Sequence, residues 1–178
     1  ARLGLPKEKT IVGAIANLYA TKGIDILVQS PLSTIAESGG IEFIVIGEGP
    51  ERPRLERLIR EQGLESSVRL LGSVRDAATY LKALDLFVLP SRKEGSPYTI
   101  LEAMTADLPI VATRVGAIPE TLKDYKNATL VAPDDPVALA QAIQSRLASP
   151  SERNGLIAHS LADEIKNTNK ILRNLIAR

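Results

Sequence analysis

The sequence predicts an α/β fold, a single doubly wound parallel sheet with helices on both faces. Three observations predict it. Short apolar runs alternate with longer amphipathic stretches, which is the pattern of βαβ units. The runs are almost continuously apolar, as in strands covered on both sides. The length, 178 residues, suits one domain that buries roughly 70% of its unfolded surface without a disulfide or metal staple.

The elements follow in order. Thr10–Asn17 (TIVGAIAN) reads as the first strand. Gly23–Ser38 reads as a helix with Pro31 in its middle. An interior proline costs about 3 kcal/mol, so the pattern predicts a kink there or a restart capped by Ser30. Glu42–Ile46 is the second strand, and Arg52–Gln62 a helix that Gly63 stops. Val68–Leu71 is a short strand, Arg75–Leu84 a helix, and Leu86–Leu89 a strand that Pro90 ends. Tyr98–Thr105 is a helix, Ile110–Thr113 a strand, Pro119–Leu122 a short helix and Ala128–Val131 the last strand. Asp134-Asp135-Pro136 then opens a helix over Pro136–Leu147, with an Asp N-cap and Pro at the first helical position. Over 150–178, Leu161, Ile165, Leu172, Leu175 and Ile176 mark one face of a C-terminal helical tail. That face packs on its own domain or docks onto another, and the domain is taken as 1–178.

Composition excludes several function classes. Lys plus Arg is 22 and Asp plus Glu is 21, a net charge of +1, so no nucleic-acid partner is expected. Aromatics are 3%, too few for a base-stacking platform. There is no cysteine, which removes thiolate nucleophiles and zinc–thiolate sites, and the only histidine is His159. No apolar run reaches the ~18 residues of a membrane span. Ala1–Pro6 lacks the regions of a signal peptide, and a cytoplasmic location is expected.

In an open parallel sheet, ligands bind beyond the carboxyl ends of the strands. Four loops fall there: Asn17–Gly23 (NLYATKG), Gly47–Pro50 (GEGP), Gly72-Ser73 and Ser91–Tyr98 (SRKEGSPY). The fourth is the richest. Ser96-Pro97 reads as a helix start, leaving the N–H groups of Tyr98 and Thr99 to face an anion such as phosphate. Lys22 adds a full charge from the first loop. Glu94 and Glu102 bracket the site, and a carboxylate accepts well from the vicinal hydroxyls of a ribose or hexose. Phosphate donors flanked by diol acceptors suit a sugar-nucleotide pocket.

Plainer readings stand beside these. Thr99-x-x-Glu102 also fits a capping box, and Lys22 also fits a surface lysine. Arg92-Lys93 reads as a phosphate contact or as a solvated pair. Gly47-Glu48-Gly49 begins a dinucleotide pattern that Arg52 breaks at its third glycine, and there is no P-loop. Asn127-Ala128-Thr129 matches a glycosylation sequon by chance.

The stretch EGSPYTILEAMTADLPIVATRVGAIPE, Glu94 to Glu120, resembles the signature of retaining GT-B glycosyltransferases of the family 4 type. Its core is E-x7-E, filled by Glu94 and Glu102. NLYATKG, FIVIGEGPERPRLERL, RLLGSV, LDLFVLPSRKEG and PDDPVALAQAI match further family segments in order, over about residues 10–150. The resemblance implies a Rossmann-like sheet that is one half of a GT-B fold, the C-terminal, donor-binding half of a longer enzyme. The donor would be a nucleoside-diphosphate sugar, with no metal and no separate cofactor. Lys22 would hold the diphosphate beside Asn17 and Gly23, and Glu94 would contact the transferred sugar. Gly95, Ser96, Pro97, Tyr98 and Thr99 would line the sugar and phosphates. Glu102 would bind the ribose, backbone over Leu71, Gly72, Ser73 and Val74 the base, and Glu48 and Gly49 would line the same cleft. The acceptor would sit on an N-terminal domain, and peripheral association of the longer protein with the inner membrane surface is an accompanying expectation. The chain departs from the family at Ala16-Asn17, where Gly-Arg is frequent, and at Ala117, where a second glycine often follows Gly116.

Two other classes stand as alternatives. One is a non-catalytic Rossmann-like binding or regulatory module; a signalling receiver of that kind would want clustered acids after its first strand and an Asp ending the third, where Asn17 and Gly72 stand. A different GT-B enzyme, such as a sugar-nucleotide epimerase or a phosphorylase-like protein, fits E-x7-E less well.

Overall fold

The computed structural model describes residues 9–30, 32 and 40–148. Six strands form one sheet: β1 (Thr10–Ile15), β2 (Ile41–Ile46), β3 (Val68–Gly72), β4 (Leu86–Leu89), β5 (Ile110–Thr113) and β6 (Ala128–Val131). The sheet order is β3-β2-β1-β4-β5-β6, and every pairing of neighbouring strands is parallel. This is the Rossmann-like doubly wound topology. The helices are α1 (Ile24–Gln29), α2 (Arg52–Glu61), α3 (Tyr98–Thr105), α4 (Ile118–Thr121) and α5 (Pro136–Ala148), with 3-10 turns at Ala20–Lys22 and Ala77–Ala83.

The apolar runs cover both faces, as their composition requires. Val12, Phe43, Val88 and Val111 point to one side, where Leu27 of α1, Ile59 of α2 and Leu139 of α5 pack on them. Ile11, Ile44, Phe87 and Ile110 point to the other, against Leu81, Ile100 of α3 and Ile118 of α4. Each fully buried Leu, Ile or Phe contributes about 1.5–3 kcal/mol. The edge strands β3 and β6 are only partly buried, and Arg146 of α5 ties down the β6 edge. It donates to Thr129 Oγ1 at 2.6 Å and to Asn127 Oδ1 at 3.1 Å. Asn127 is therefore buried, and its sequon is closed to modification in the folded chain.

One expectation is met as far as the described residues reach, and three change. The first helix ends at Ser30, whose N–H donates to Ile26 O at 2.9 Å and whose hydroxyl donates to Leu27 O at 2.5 Å. Ser30 thus closes α1; the kink at Pro31 and the rest of that helix lie outside the described residues, as does the tail over 150–178. The expected helix Arg75–Leu84 is the 3-10 segment Ala77–Ala83. Asp76 takes a left-handed backbone there (φ 54°), which delays the start, and the tighter winding buries Leu81 and Leu84. β1 stops at Ile15 rather than Asn17, because the chain turns off to the Glu48 carbonyl, where Leu18 N–H donates at 2.9 Å. Ser96 does not cap α3, and Pro97 occupies the N-cap position (φ −79°, ψ 77°) with no side-chain cap. By contrast α5 starts as expected: Asp135 Oδ1 accepts from Ala138 N–H at 2.8 Å.

Candidate functional site

β1 and β4 lie side by side, but the chain leaves β1 toward β2 and leaves β4 toward β5. The connections from these two strands therefore run to opposite sides of the sheet, and a crevice opens at the carboxyl edge where they part. A cleft of roughly 310 Å3 occupies it. Its floor is the ends of three strands, Ile15, Ile46 and Leu89, and its walls are the loops beyond them.

The cleft brings together Asn17, Lys22, Ser73, Val74, Glu94, Ser96, Pro97, Tyr98 and Thr99. Lys22 ends the 3-10 turn of the first loop, and its Nζ donates to Glu94 Oε1 at 2.7 Å. Ser91 Oγ donates to the same oxygen at 2.7 Å. The Lys22 side chain is 27% exposed and that of Glu94 6%, so the ammonium stands at the surface of the cleft with the carboxylate behind it.

The mouth of α3 forms the opposite wall. Tyr98 N–H is not free, since it donates to Ser96 O at 2.9 Å. The tight turn at Pro97 bends it back onto the loop. Thr99 N–H, with those of exposed Gly95 and Ser96, has no backbone acceptor among the described residues. The anion-facing donors thus run from the loop into the first turn of α3. Glu102 does not line the cleft. It stands one turn behind Thr99 on the same helix face, and no capping-box bond involves it. Burial pushes its carboxyl above the ordinary 4.5.

The other expected residues sit around the cleft rather than in its wall. Gly23 has a left-handed backbone (φ 63°), and a Cβ there would meet Pro90 O at 2.0 Å; it lets the Lys22 turn close against the β4 loop. Glu48 turns away to Arg52 Nη1 at 2.6 Å, while Gly49 lies against the Leu18 carbonyl. Gly72 bridges to Gly47, whose N–H donates to Gly72 O at 2.9 Å. Leu71 packs among partly buried hydrophobics of the second core.

Some participants were not among the expected site residues. Ala16, Gly47 and Ala77 line the cleft; Gly47 falls in an expected rim loop, while Ala77 carries no functional group to signal it. Gly116 (φ 53°) presses on the Glu94 carbonyl, which a Cβ would meet at 1.9 Å, so the loop after β5 buttresses the loop after β4. Its place inside the quoted signature was the available signal. Arg92 does not line the cleft and is only half-buried. Its guanidinium binds Asp25 and Asp134, the latter at 2.6 Å through Nε. Burial raises the Asp25 carboxyl, but Arg92 and Arg54 outweigh it and hold the group below its ordinary 3.8.

Among the described residues no helix is long and apolar enough to cross a membrane, and no His, Cys, Asp and Glu group could hold a metal ion.

Three comparisons bear on this geometry. At 30% identity over 160 residues, the chain resembles the D-inositol 3-phosphate glycosyltransferase of Corynebacterium urealyticum, covering 85% of this chain and 38% of that protein. In structure it superposes with a TM-score of 0.75 on Anabaena HepE in complex with UDP-glucose, at 25% identity, over 96% of this chain and 49% of that one. It also matches the C-terminal domain of a glycosyl transferase group 1 family protein from Francisella tularensis, with a TM-score of 0.69 at 25% identity, over 89% of this chain and 85% of that one. The chain thus spans less than half of that curated relative. The family model described as "Glycosyl transferases group 1" matches residues 9–149, and the chain belongs to that family.

Proposed function

We propose that the chain is the donor-binding half of a retaining glycosyltransferase that takes a sugar from a nucleoside-diphosphate sugar. The observation that carries this reading is the meeting of Lys22, Glu94 and the mouth of α3 around one cleft at the switch point of the sheet. The match to a C-terminal domain and to a UDP-glucose complex supports it. Lys22 Nζ and the N–H groups of Gly95, Ser96 and Thr99 hold the diphosphate. Glu94 orients the sugar, and Glu102, one turn behind Thr99 and outside the cleft lining, accepts from the ribose hydroxyls where the nucleotide leaves the cleft. Backbone over Gly72 to Val74 meets the base, with Asn17 beside the phosphates.

The bond from the anomeric carbon to the diphosphate oxygen breaks while a bond to the acceptor oxygen forms on the same face, and the acceptor hydroxyl passes its proton to the departing diphosphate oxygen. Charge grows on the departing diphosphate as the sugar approaches an oxocarbenium ion. Lys22 and the oriented N–H groups are already in place to meet that charge, so little reorganisation is needed. The acceptor belongs to a further domain. The 178-residue chain is therefore expected to bind donor without turnover, and sugar transfer by this chain alone would overturn that division.

Calorimetric titration with UDP, GDP and ADP tests the reading and names the base; no heat with any of them would sink it. Its pH dependence has a sign. Ionised Glu102 accepts from both hydroxyls of a diol, whereas protonation turns one oxygen into a donor and weakens the other as an acceptor, and burial pushes this carboxyl above its ordinary 4.5. Affinity is thus full above that raised value and falls as pH drops through it. Glu102→Gln is expected to bind more weakly at neutral pH and to lose this step.

A further inference from the structure

We propose that Arg92 and Asp25 are a positioning pair that sets the distance between Lys22 and Glu94, an inference that rests on the diphosphate reading above. Arg92 makes a two-pronged contact with the buried Asp25 carboxylate, Nη1 to Oδ1 at 2.7 Å and Nη2 to Oδ2 at 3.0 Å. The same Nη1 donates to Ala20 O at 2.7 Å, and the Arg92 N–H donates to Thr21 O at 2.8 Å. Arg92 therefore holds the two carbonyls immediately before Lys22, and Asp25 anchors the chain three residues after it. Glu94 follows Arg92 by two positions on the β4 loop. One residue, through its side chain on Ala20 and Asp25 and its backbone N–H on Thr21, holds both members of the Lys22–Glu94 pair in a common frame.

Charge and energetics point the same way. The partly exposed Arg92 guanidinium is paired with two carboxylates, buried Asp25 and exposed Asp134, so its charge is directed to them and not to the cleft. A buried ion pair adds little net stability over apolar residues of the same shape. What this one supplies is geometry: a planar guanidinium reaches a carboxylate and a carbonyl at fixed angles, which an ammonium cannot copy. A displacement of about 1 Å in a phosphate-gripping ammonium is enough to weaken recognition severely.

The test uses the 178-residue chain and the tightest-binding of UDP, GDP and ADP. Arg92→Lys keeps the charge but loses the fork, and it is expected to weaken binding by about tenfold, whereas in the Lys22→Ala background it should change affinity by less than about twofold. A side chain that only stabilises the fold would move the melting temperature and would act alike in both backgrounds. Equal loss with and without Lys22, or unchanged affinity in folded Arg92→Lys, overturns the positioning role. Unchanged affinity in Lys22→Ala overturns the diphosphate reading instead, and absence of binding by all three nucleotides overturns both. Asp25→Asn, which keeps the shape of the buried group, carries the same comparison if Arg92→Lys does not fold.

Discussion

Lys22→Ala is expected to weaken nucleoside-diphosphate binding by about a hundredfold or more, the largest effect of any single side chain in the cleft. Two losses combine. A charge-assisted hydrogen bond to phosphate contributes about 1.5–3 kcal/mol, or roughly ten- to a hundredfold in affinity. The second loss comes from Glu94. Its carboxylate is 6% exposed and now shares Oε1 between Lys22 and Ser91. Without the ammonium, that buried charge faces the incoming diphosphate with only one hydroxyl to offset it. The variant Lys22→Ala with Glu94→Gln should therefore bind better than Lys22→Ala alone, because the second change removes the repulsion. Titration calorimetry on the two variants decides the matter. Affinity within twofold of the parent in Lys22→Ala would show that the cation has no part in the site.

Gly116→Ala is expected to destabilise the fold strongly. The residue has φ 53°, and a Cβ there would stand 1.9 Å from the Glu94 carbonyl oxygen and 2.8 Å from its carbon. Backbone cannot swing aside as the tip of a side chain can. The left-handed conformation adds about 1–2 kcal/mol for any residue with a Cβ, and relieving the overlap raises the total to about 3 kcal/mol or more. At about 2–4 °C per kcal/mol for a domain of this size, the midpoint should fall by roughly 6–12 °C. Gly40→Ala is the comparison, since nothing lies within 4 Å of its added Cβ. Equal melting temperatures for the two variants would show that the loop after β5 does not brace the loop after β4. The surviving folded fraction should also bind nucleotide more weakly, because the Glu94 loop has to give way.

Local signals were legible where local physics decides. Leu86–Leu89, Ile110–Thr113 and Ala128–Val131 are strands with the bounds their apolar runs predict, since a short run between turn residues admits few alternatives. Asp135 caps α5 because an Asp before Pro136 has a donor in reach three residues on. Arg75–Leu84 failed because its apolar spacing fits a 3-10 winding as well as an α-helix, and the tertiary fit of Leu81 and Leu84 chose between them. Ser96-Pro97 failed because a cap depends on ψ at the N-cap residue, which the residue types do not specify.

The residue types by themselves determined the alternation of strands and helices, the parallel sheet, and the loops that carry cation, carboxylates and glycines, because those depend on apolar periodicity and on chemistry at neighbouring positions. Only the tertiary structure decided which of these groups meet. Lys22 and Glu94 are 72 positions apart, and Arg92 and Asp25 are 67 apart. Whether Arg92 faces a ligand or a buried aspartate depends on how the loops after β1 and β4 cross, and a pairing over that distance is set by packing of the whole sheet.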